Sequence, residues 1–390
     1  MSGGTDATTE LRSPLHDEHV ALGAALTSFA GWQMPLRYTS DLAEHTAVRT
    51  AAGLFDLSHM GEIAVAGPDA GRFLDLALVG NLSGLRVLGA RYTMVVQPDG
   101  GVIDDLVVYR TGEQEYLVVA NASNHVTVLT ELRERAAGLD VEVADRSAAT
   151  ALVAVQGPRA LDVVLATPGL VADPAAGVTL EDLRYYACLP VRFDAAPVLA
   201  ARTGYTGEDG FEFFLPAEHA PALWRALLAA GEPFGLVPAG LSARDSLRLE
   251  AGMPLYGNEL DRTTTPHDAG LGRVVRLDKV DADGRPVPFV GRDALAARAA
   301  SAPARVLVGL QGLGRRAARH GYAVVASTDP DAPVVGTVTS GAPSPTLGHP
   351  VAMAYVTPEV SAEGTELAVD VRGRREPVRV VPLPFYRRPR

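Results

Sequence analysis

Two aspartates stand side by side in GGVIDDLVVYR, residues 100–110. Their neighbours Val102, Ile103, Leu106, Val107, Val108 and Tyr109 are those of a buried strand. Successive strand side chains point to opposite faces. Asp105 then shares a face with Ile103, Val107 and Tyr109, and Asp104 shares one with Val102, Leu106 and Val108. Neither face is polar, and an unpaired buried carboxylate is costly enough to shift its own pKa. Each aspartate therefore needs a job. One reading is structural: a carboxylate tied to backbone amides or to an arginine. The other is a carboxylate lining a cavity against a ligand nitrogen, its field amplified by an apolar wall. Asp104 can alternatively cap a neighbouring turn. Alternation separates the two roles without saying which aspartate has which.

A second constellation is RTGYTGEDGFEFF, residues 202–214. Glu212 alternates with Phe211 and Phe213, again a carboxylate on an apolar strand. An arginine would satisfy it; so would a planar N–H/NH₂ edge of a ligand, which offers the same two-bond fork. In PAGLSARDSLRLEAG, residues 238–252, Arg244 and Arg248 lie one helical turn apart and share a side. They are either surface ion-pair partners of Asp245 and Glu250, or an anchor for an anionic ligand. Tyr92, Tyr109 and Tyr205 sit beside these segments, as core residues or as stacking surfaces for a flat heterocycle.

The elements that must position these groups can be read from pattern. Ser13-Pro14 opens a helix that stops at Gly23, and Asp41 with Glu44 reads as a capping box for a helix stopping at Gly53. Pro68–Leu78 and Asn124–Ala137 are amphipathic. Strands 91–96 and 102–110 flank the turn QPDGG, and 116–121 follows. From about 148 to 255 a second α+β stretch includes ATALVAVQG, VRFDAAPVLAAR and GFEFFLP as strands, and AEHAPALWRALLAAG and LSARDSLRLEAG as helices. DKVDADGRPVPFVG reads as a surface connection. Beyond 303, short apolar runs separated by turn residues suggest a small all-β barrel or sandwich.

Bulk numbers exclude several classes. The chain has 390 residues and a net charge of −11, roughly two to three domains and a poor match to nucleic acid, which needs clustered cations. The single cysteine, Cys188, leaves no disulfide framework and no cysteine-based metal site. The N-terminus lacks a secretory pattern, and no run of apolar residues is long enough to span a membrane. A cytoplasmic protein without metal is expected. Walker A, strand-linked GxGxxG, HExxH and GxSxG motifs are absent.

Together, FAGWQMPLRYTS (29–40), FDLSHMGE (55–62), GGVIDDLVVYR, ARTGYTGEDGFE (201–212), PAGLSARDSLRLEAG, TSGAPSPTLG (339–348) and PFYR (384–387) occur in the order found in aminomethyltransferases. The chain resembles these T-proteins of the glycine cleavage system from about residue 13 to 387. The resemblance implies an α+β fold, a three-domain cloverleaf around a central folate cavity with an all-β, barrel-like C-terminal domain. It places a disordered lead-in at 1–12, two intertwined α+β domains at 13–280 (split near 50–147 and 148–280), and the barrel at 281–390. It implies transfer of a one-carbon unit from the aminomethyl-dihydrolipoyl arm of the H-protein to tetrahydrofolate, with release of ammonia and formation of 5,10-methylenetetrahydrofolate. Carried over by position, Asp105 is the catalytic carboxylate, and Glu212, Arg244, Tyr205, Tyr109, Tyr92, Asn121, Met60 and Tyr386 bind the folate. The alternatives are a stand-alone tetrahydrofolate-dependent demethylase and a non-catalytic folate-binding protein of iron–sulfur assembly; YYACLPV around Cys188 does not match the cysteine motif of the latter. Gly272-Arg273 and a longer 281–289 stretch depart from the family pattern.

Overall fold

The computed structural model describes residues 10–281 and 283–389. Beside a small sheet ordered Leu11–Arg12, Trp32–Arg37, Ala25–Phe29, three larger sheet systems organise the described residues. The first is a five-stranded antiparallel sheet ordered Ala90–Val96, Val102–Arg110, Glu115–Ala120, Gly61–Ala66, Glu142–Asp145. Helices Ala70–Ala77 and His125–Arg135 pack on one face, around Phe73, Leu74, Val118 and Leu132. The second is a seven-stranded sheet ordered Leu170–Ala172, Cys188–Phe193, Ala196–Ala201, Gly210–Pro216, Thr150–Gln156, Ala52–Asp56, Leu236–Pro238. Its outer face is covered by helices Ala160–Ala166 and Ala220–Gly231, with Trp224 fully buried beneath them. Between the two sheets lies a third cluster built from Phe55, Leu57, Tyr109, Val119, Phe214 and Leu247. The third system is a closed six-stranded barrel, Val306–Gly312 to Arg374–Val381. The sandwich alternative for this region is thereby ruled out.

The first two of these larger sheets are interwoven by two short links, at 57–60 and 146–149. Ala52–Asp56 pairs with Val153–Gln156 in the seven-stranded sheet, and Gly61, five residues on, pairs with Ala120 in the five-stranded one. A boundary near residue 50 therefore assigns this first strand to the wrong sheet. Residues 1–9 of the expected lead-in lie outside the described residues, but Leu11–Arg12 form a strand parallel to Trp32–Gln33. VRFDAAPVLAAR is a hairpin, not one strand: Asp194 turns the chain at φ 52° between Phe193 and Ala196, and Asp is among the few residues that tolerate this region.

Helix boundaries moved for identifiable reasons. Ser40, not Asp41, caps the helix Asp41–Thr50, accepting from the Ala43 amide at 3.2 Å. Glu44 instead reaches back to the amides of Tyr38 and Thr39 and across to that of Gly240. Gly53 lies inside the following strand, where a Cβ would meet the Val48 side chain at 2.4 Å; the glycine serves close packing, not helix termination.

The connection read as a surface segment is pinned by Lys279. Its buried ammonium donates to the carbonyls of Asp75, Leu78 and Gly80 at 2.5, 2.6 and 2.9 Å and lies 4.1 Å from the Phe289 ring centre. Two of those carbonyls are at the C-terminal end of a helix, where cations are favoured. Burial pushes the amine down to about 7. Lys279→Met is expected to cost about 2 kcal/mol by leaving three buried carbonyls unpaired, read as a fall in urea midpoint without a change in slope.

Candidate active site

The strand Val102–Arg110 carries its aspartates with a break in alternation. Val95 pairs with Asp104 but Val96 pairs with Val102, so Ile103 is an unpaired bulge residue. Ile103 therefore packs into the helix-side core with Leu106 and Val108, and does not share the face of Asp105 as strict alternation required. Asp105, Val107 and Tyr109 do share a face, and it lines a cavity of about 910 Å³ between the two sheets. Asp104 is turned away and fully buried.

Asp104 is held by three N–H donors: the Asn121 backbone amide at 3.0 Å, the Asn121 side-chain amide at 2.9 Å and the Asn124 side-chain amide at 2.8 Å. It fastens the turn that precedes helix His125–Arg135, the capping role considered for it. Asp105 accepts from the Tyr92 hydroxyl at 3.0 Å and from the Asn121 side chain at 2.9 Å. Asn121 thus bridges both carboxylates. Burial raises both above the ordinary carboxylate range, and repulsion from Asp105 adds to the shift of Asp104.

Glu212 sits across the cavity. Tyr109 donates to its Oε2 at 3.2 Å and Thr203 donates to the same oxygen, while Tyr109 and Thr203 lie 3.0 Å apart. Oε1 accepts no hydrogen bond among the described residues. The guanidinium of Arg244 stacks 4.6 Å above the Tyr205 ring, whose hydroxyl donates to the Pro254 carbonyl. Arg244 forms no ion pair among the described residues, so this cavity-facing cation carries unused donors. Arg248, one turn on, is spent structurally on Glu259, Asp245 and Ser340.

Eight of the nine residues singled out in the sequence therefore line one cavity: Asp105, Glu212, Arg244, Tyr205, Tyr109, Tyr92, Asn121 and Met60. Tyr386 does not line it. Its ring lies 4.0 Å from the Arg49 guanidinium, at the junction with the barrel. Sequence reasoning missed Thr203, which orients Glu212, and His59 and Tyr186 in the wall. Thr203 is one residue outside the glycines that drew attention to its segment, and its partner is set by sheet pairing, not by local spacing. The departure at Gly272 has a packing reason: a Cβ there would meet the His267 ring at 2.8 Å.

Comparison with known proteins decides the family. The GCVT N-terminal domain matches residues 15–279, and the glycine cleavage T-protein C-terminal barrel domain matches residues 305–387. The chain belongs to the aminomethyltransferase family of glycine cleavage T-proteins. An aminomethyltransferase of Streptomyces coelicolor is 58% identical over 98% of this chain and 99% of its own length. One from Saccharopolyspora erythraea is 56% identical over 97% and 98%. The solved structure of glycine cleavage system aminomethyltransferase T from Bartonella henselae superposes with a TM-score of 0.85 at 37% identity, covering 97% of this chain and 98% of that one. The family fold, an α+β chain ending in a barrel, is the one described above, and aminomethyl transfer is the activity of this enzyme; family membership carries folate-dependent chemistry with it. Among the described residues no helix is long and apolar enough to cross a membrane, and no cluster of three His, Cys, Asp or Glu side chains could hold a metal.

Proposed function

We propose that this aminomethyltransferase takes the one-carbon unit from the aminomethyl-dihydrolipoyl arm of a lipoylated H-protein and passes it to tetrahydrofolate bound in the 910 Å³ cavity, releasing ammonia and forming 5,10-methylenetetrahydrofolate. The observation that carries it is the pairing of groups across that cavity: a half-satisfied Glu212, an Arg244 without a counterion and a raised carboxylate at Asp105, between tyrosine walls. The volume falls in the range of sites for ligands of this size. Glu212 Oε1 is free to take an N–H or NH₂ edge, Tyr92, Tyr109 and Tyr205 supply aromatic surface, and Arg244 supplies donors to an acceptor or anion. The folate supplies the nucleophilic nitrogens.

The protein's own part is proton handling and charge. Two bonds to the one-carbon unit break, C–N and C–S, and two bonds to folate nitrogens form. Two protons leave those nitrogens and end on ammonia and on the arm's thiolate. Asp105, held in place by Tyr92 and Asn121, is the base beside the reacting nitrogens; a carboxylate raised toward neutrality is better matched to that task. Its charge also stabilises the positive charge that develops as ammonia departs.

The testing experiment is ammonia release from aminomethylated H-protein with and without tetrahydrofolate. Release should require the folate; release indifferent to it sinks the reading. Glu212→Gln keeps an acceptor but turns an NH₂ toward Thr203 or the ligand edge. It is expected to weaken folate binding by about 10- to 100-fold, the worth of one charge-assisted hydrogen bond, measured by calorimetric titration.

A further inference from the structure

Three histidines are buried among the described residues, and one differs from the others. His19 uses both ring nitrogens, on Asp56 at 2.7 Å and Tyr38 at 2.9 Å. His45 uses both as well, on Ser246 at 2.7 Å and Thr346 at 2.9 Å. His59 is only 4% exposed and uses neither: no hydrogen bond to it exists among the described residues, and its Nδ1 is sealed from solvent without a partner. Buried polar groups are almost always satisfied, so an exception asks for a function. His59 lines the cavity.

Position narrows what it meets. His59 lies in the turn between Asp56 and Gly61. Gly61 pairs with Ala120, and the next residue, Asn121, bonds to Asp105. The turn and the reactive carboxylate thus share one end of the five-stranded sheet. The Phe29 ring, 39% exposed, meets His59 edge-on at 5.4 Å, so His59 stands just inside a wall that reaches solvent. An arm reaching the cavity along this wall would meet His59.

Its chemistry is that of a neutral donor. Burial pushes the imidazole down to about 4, Arg244 adding to the effect against Asp56. A neutral ring carries one N–H. A sealed, partnerless Nδ1 is tolerated more readily as a bare acceptor than as an orphaned N–H, which leaves the proton on Nε2, the nitrogen not sealed from the cavity. Neutral imidazole held by a depressed pKa is an established way to donate to developing negative charge.

We propose that His59 contacts the substrate as a hydrogen-bond donor to the sulfur of the dihydrolipoyl arm, stabilising the charge that gathers there as the C–S bond breaks. No proton leaves the imidazole; the thiolate receives its proton from those released by the folate nitrogens. This inference rests on the function proposed above. The test compares wild type, His59→Gln, which retains a side-chain N–H donor, and His59→Ala. Turnover should fall about 100-fold in His59→Ala and about 10-fold or less in His59→Gln, with tetrahydrofolate affinity and melting temperature within error of wild type. Independently of turnover, the thiol pKa of dihydrolipoamide bound at saturation, followed by thiolate absorbance, should be lower on wild type than on His59→Ala. Equal turnover in all three proteins overturns the inference. So does an equal thiol pKa, and so does parallel loss of stability, folate affinity and rate. If wild type itself shows no folate-dependent ammonia release, the functional reading falls instead, and the two failures are distinct.

Discussion

Asp105→Asn is expected to lower turnover on the order of a thousandfold, as loss of a positioned general base does, while tetrahydrofolate affinity changes little and the protein melts higher at pH 8. The stability gain follows from the buried pair. Burial raises both Asp104 and Asp105 above their unfolded values. A raised carboxylate contributes stability that is fully present below its unfolded pKa, near 3.9, and is lost as pH climbs through the folded range. At pH 8 the folded protein holds two charges that it disfavours, and asparagine at 105 removes one. At pH 4 the folded pair is already protonated and the variant should melt with wild type. The partners of Asp105 are one hydroxyl and one amide N–H, and an asparagine oxygen can keep either. Calorimetry at both pH values, beside steady-state turnover, checks the whole claim; unchanged turnover ends the catalytic role. Asp104→Asn should do the opposite. Its two oxygens accept three N–H groups, and an amide there must point an NH₂ at one of them. A loss of about 1–3 kcal/mol is expected, with turnover changing only as far as Asn121 shifts. A stabilised, inactive Asp105 variant is what strain stored at a working site looks like when released.

How much of this was legible beforehand depends on whether the deciding contact is local. The strands were visible because alternating or continuous apolar runs are a local signal, and the barrel because short runs recur between turn residues. The bulge at Ile103 was not, since a bulge exists only relative to the partner strand, here a shift between Val95 and Val96. The same limit explains Ser40: Glu44 looked like half of a local capping box, but one of its oxygens belongs to Gly240, nearly two hundred residues away. At the site, the pair Asp104 and Asp105 and the lone Glu212 stood out as carboxylates on apolar strands, a contradiction that sequence displays directly, though the choice of Asp105 within the pair came from the family resemblance. His59 gave no such sign. A histidine in a polar turn, SHMG, contradicts nothing until burial and the missing partners are seen. Tyr386 shows the converse: its motif was found, but its neighbours place it at a joint.

That joint carries the second large effect. Glu250, fully buried, closes the helix Leu241–Glu250 and accepts from residues of the barrel and of the N-terminal part at once. Ser344 and Thr346 donate to it at 2.5 and 2.7 Å, Arg49 donates at 2.9 Å, and His45 lies 3.2 Å away. Arg49 also pairs with Glu208 at 2.8 Å and covers the Tyr386 ring. The motifs TSGAPSPTLG, PFYR and the glutamates of TGYTGEDG and RLEAG thus meet in one buried ion cluster, which fastens the barrel to the rest. Glu250→Gln removes the charge that Arg49 opposes and should cost on the order of 3–5 kcal/mol, the range for breaking a buried pair. Burial alone would raise Glu250, but His45, Ser344 and Thr346 hold it down to about 2. A depressed carboxylate gives stability that is present above its unfolded value, near 4.3, and lost as pH falls toward 2. The deficit of the variant should therefore be constant from pH 5 upward and shrink between about 4 and 2. With the cluster cut, calorimetry should show the barrel melting before the remainder. A single transition at the wild-type temperature would show that the barrel docks without the cluster. Function should follow, because this one helix holds the barrel through Glu250 and Arg248 and presents Arg244 to the cavity from its other end. Loosening the barrel should then weaken tetrahydrofolate binding although no cavity residue has been changed.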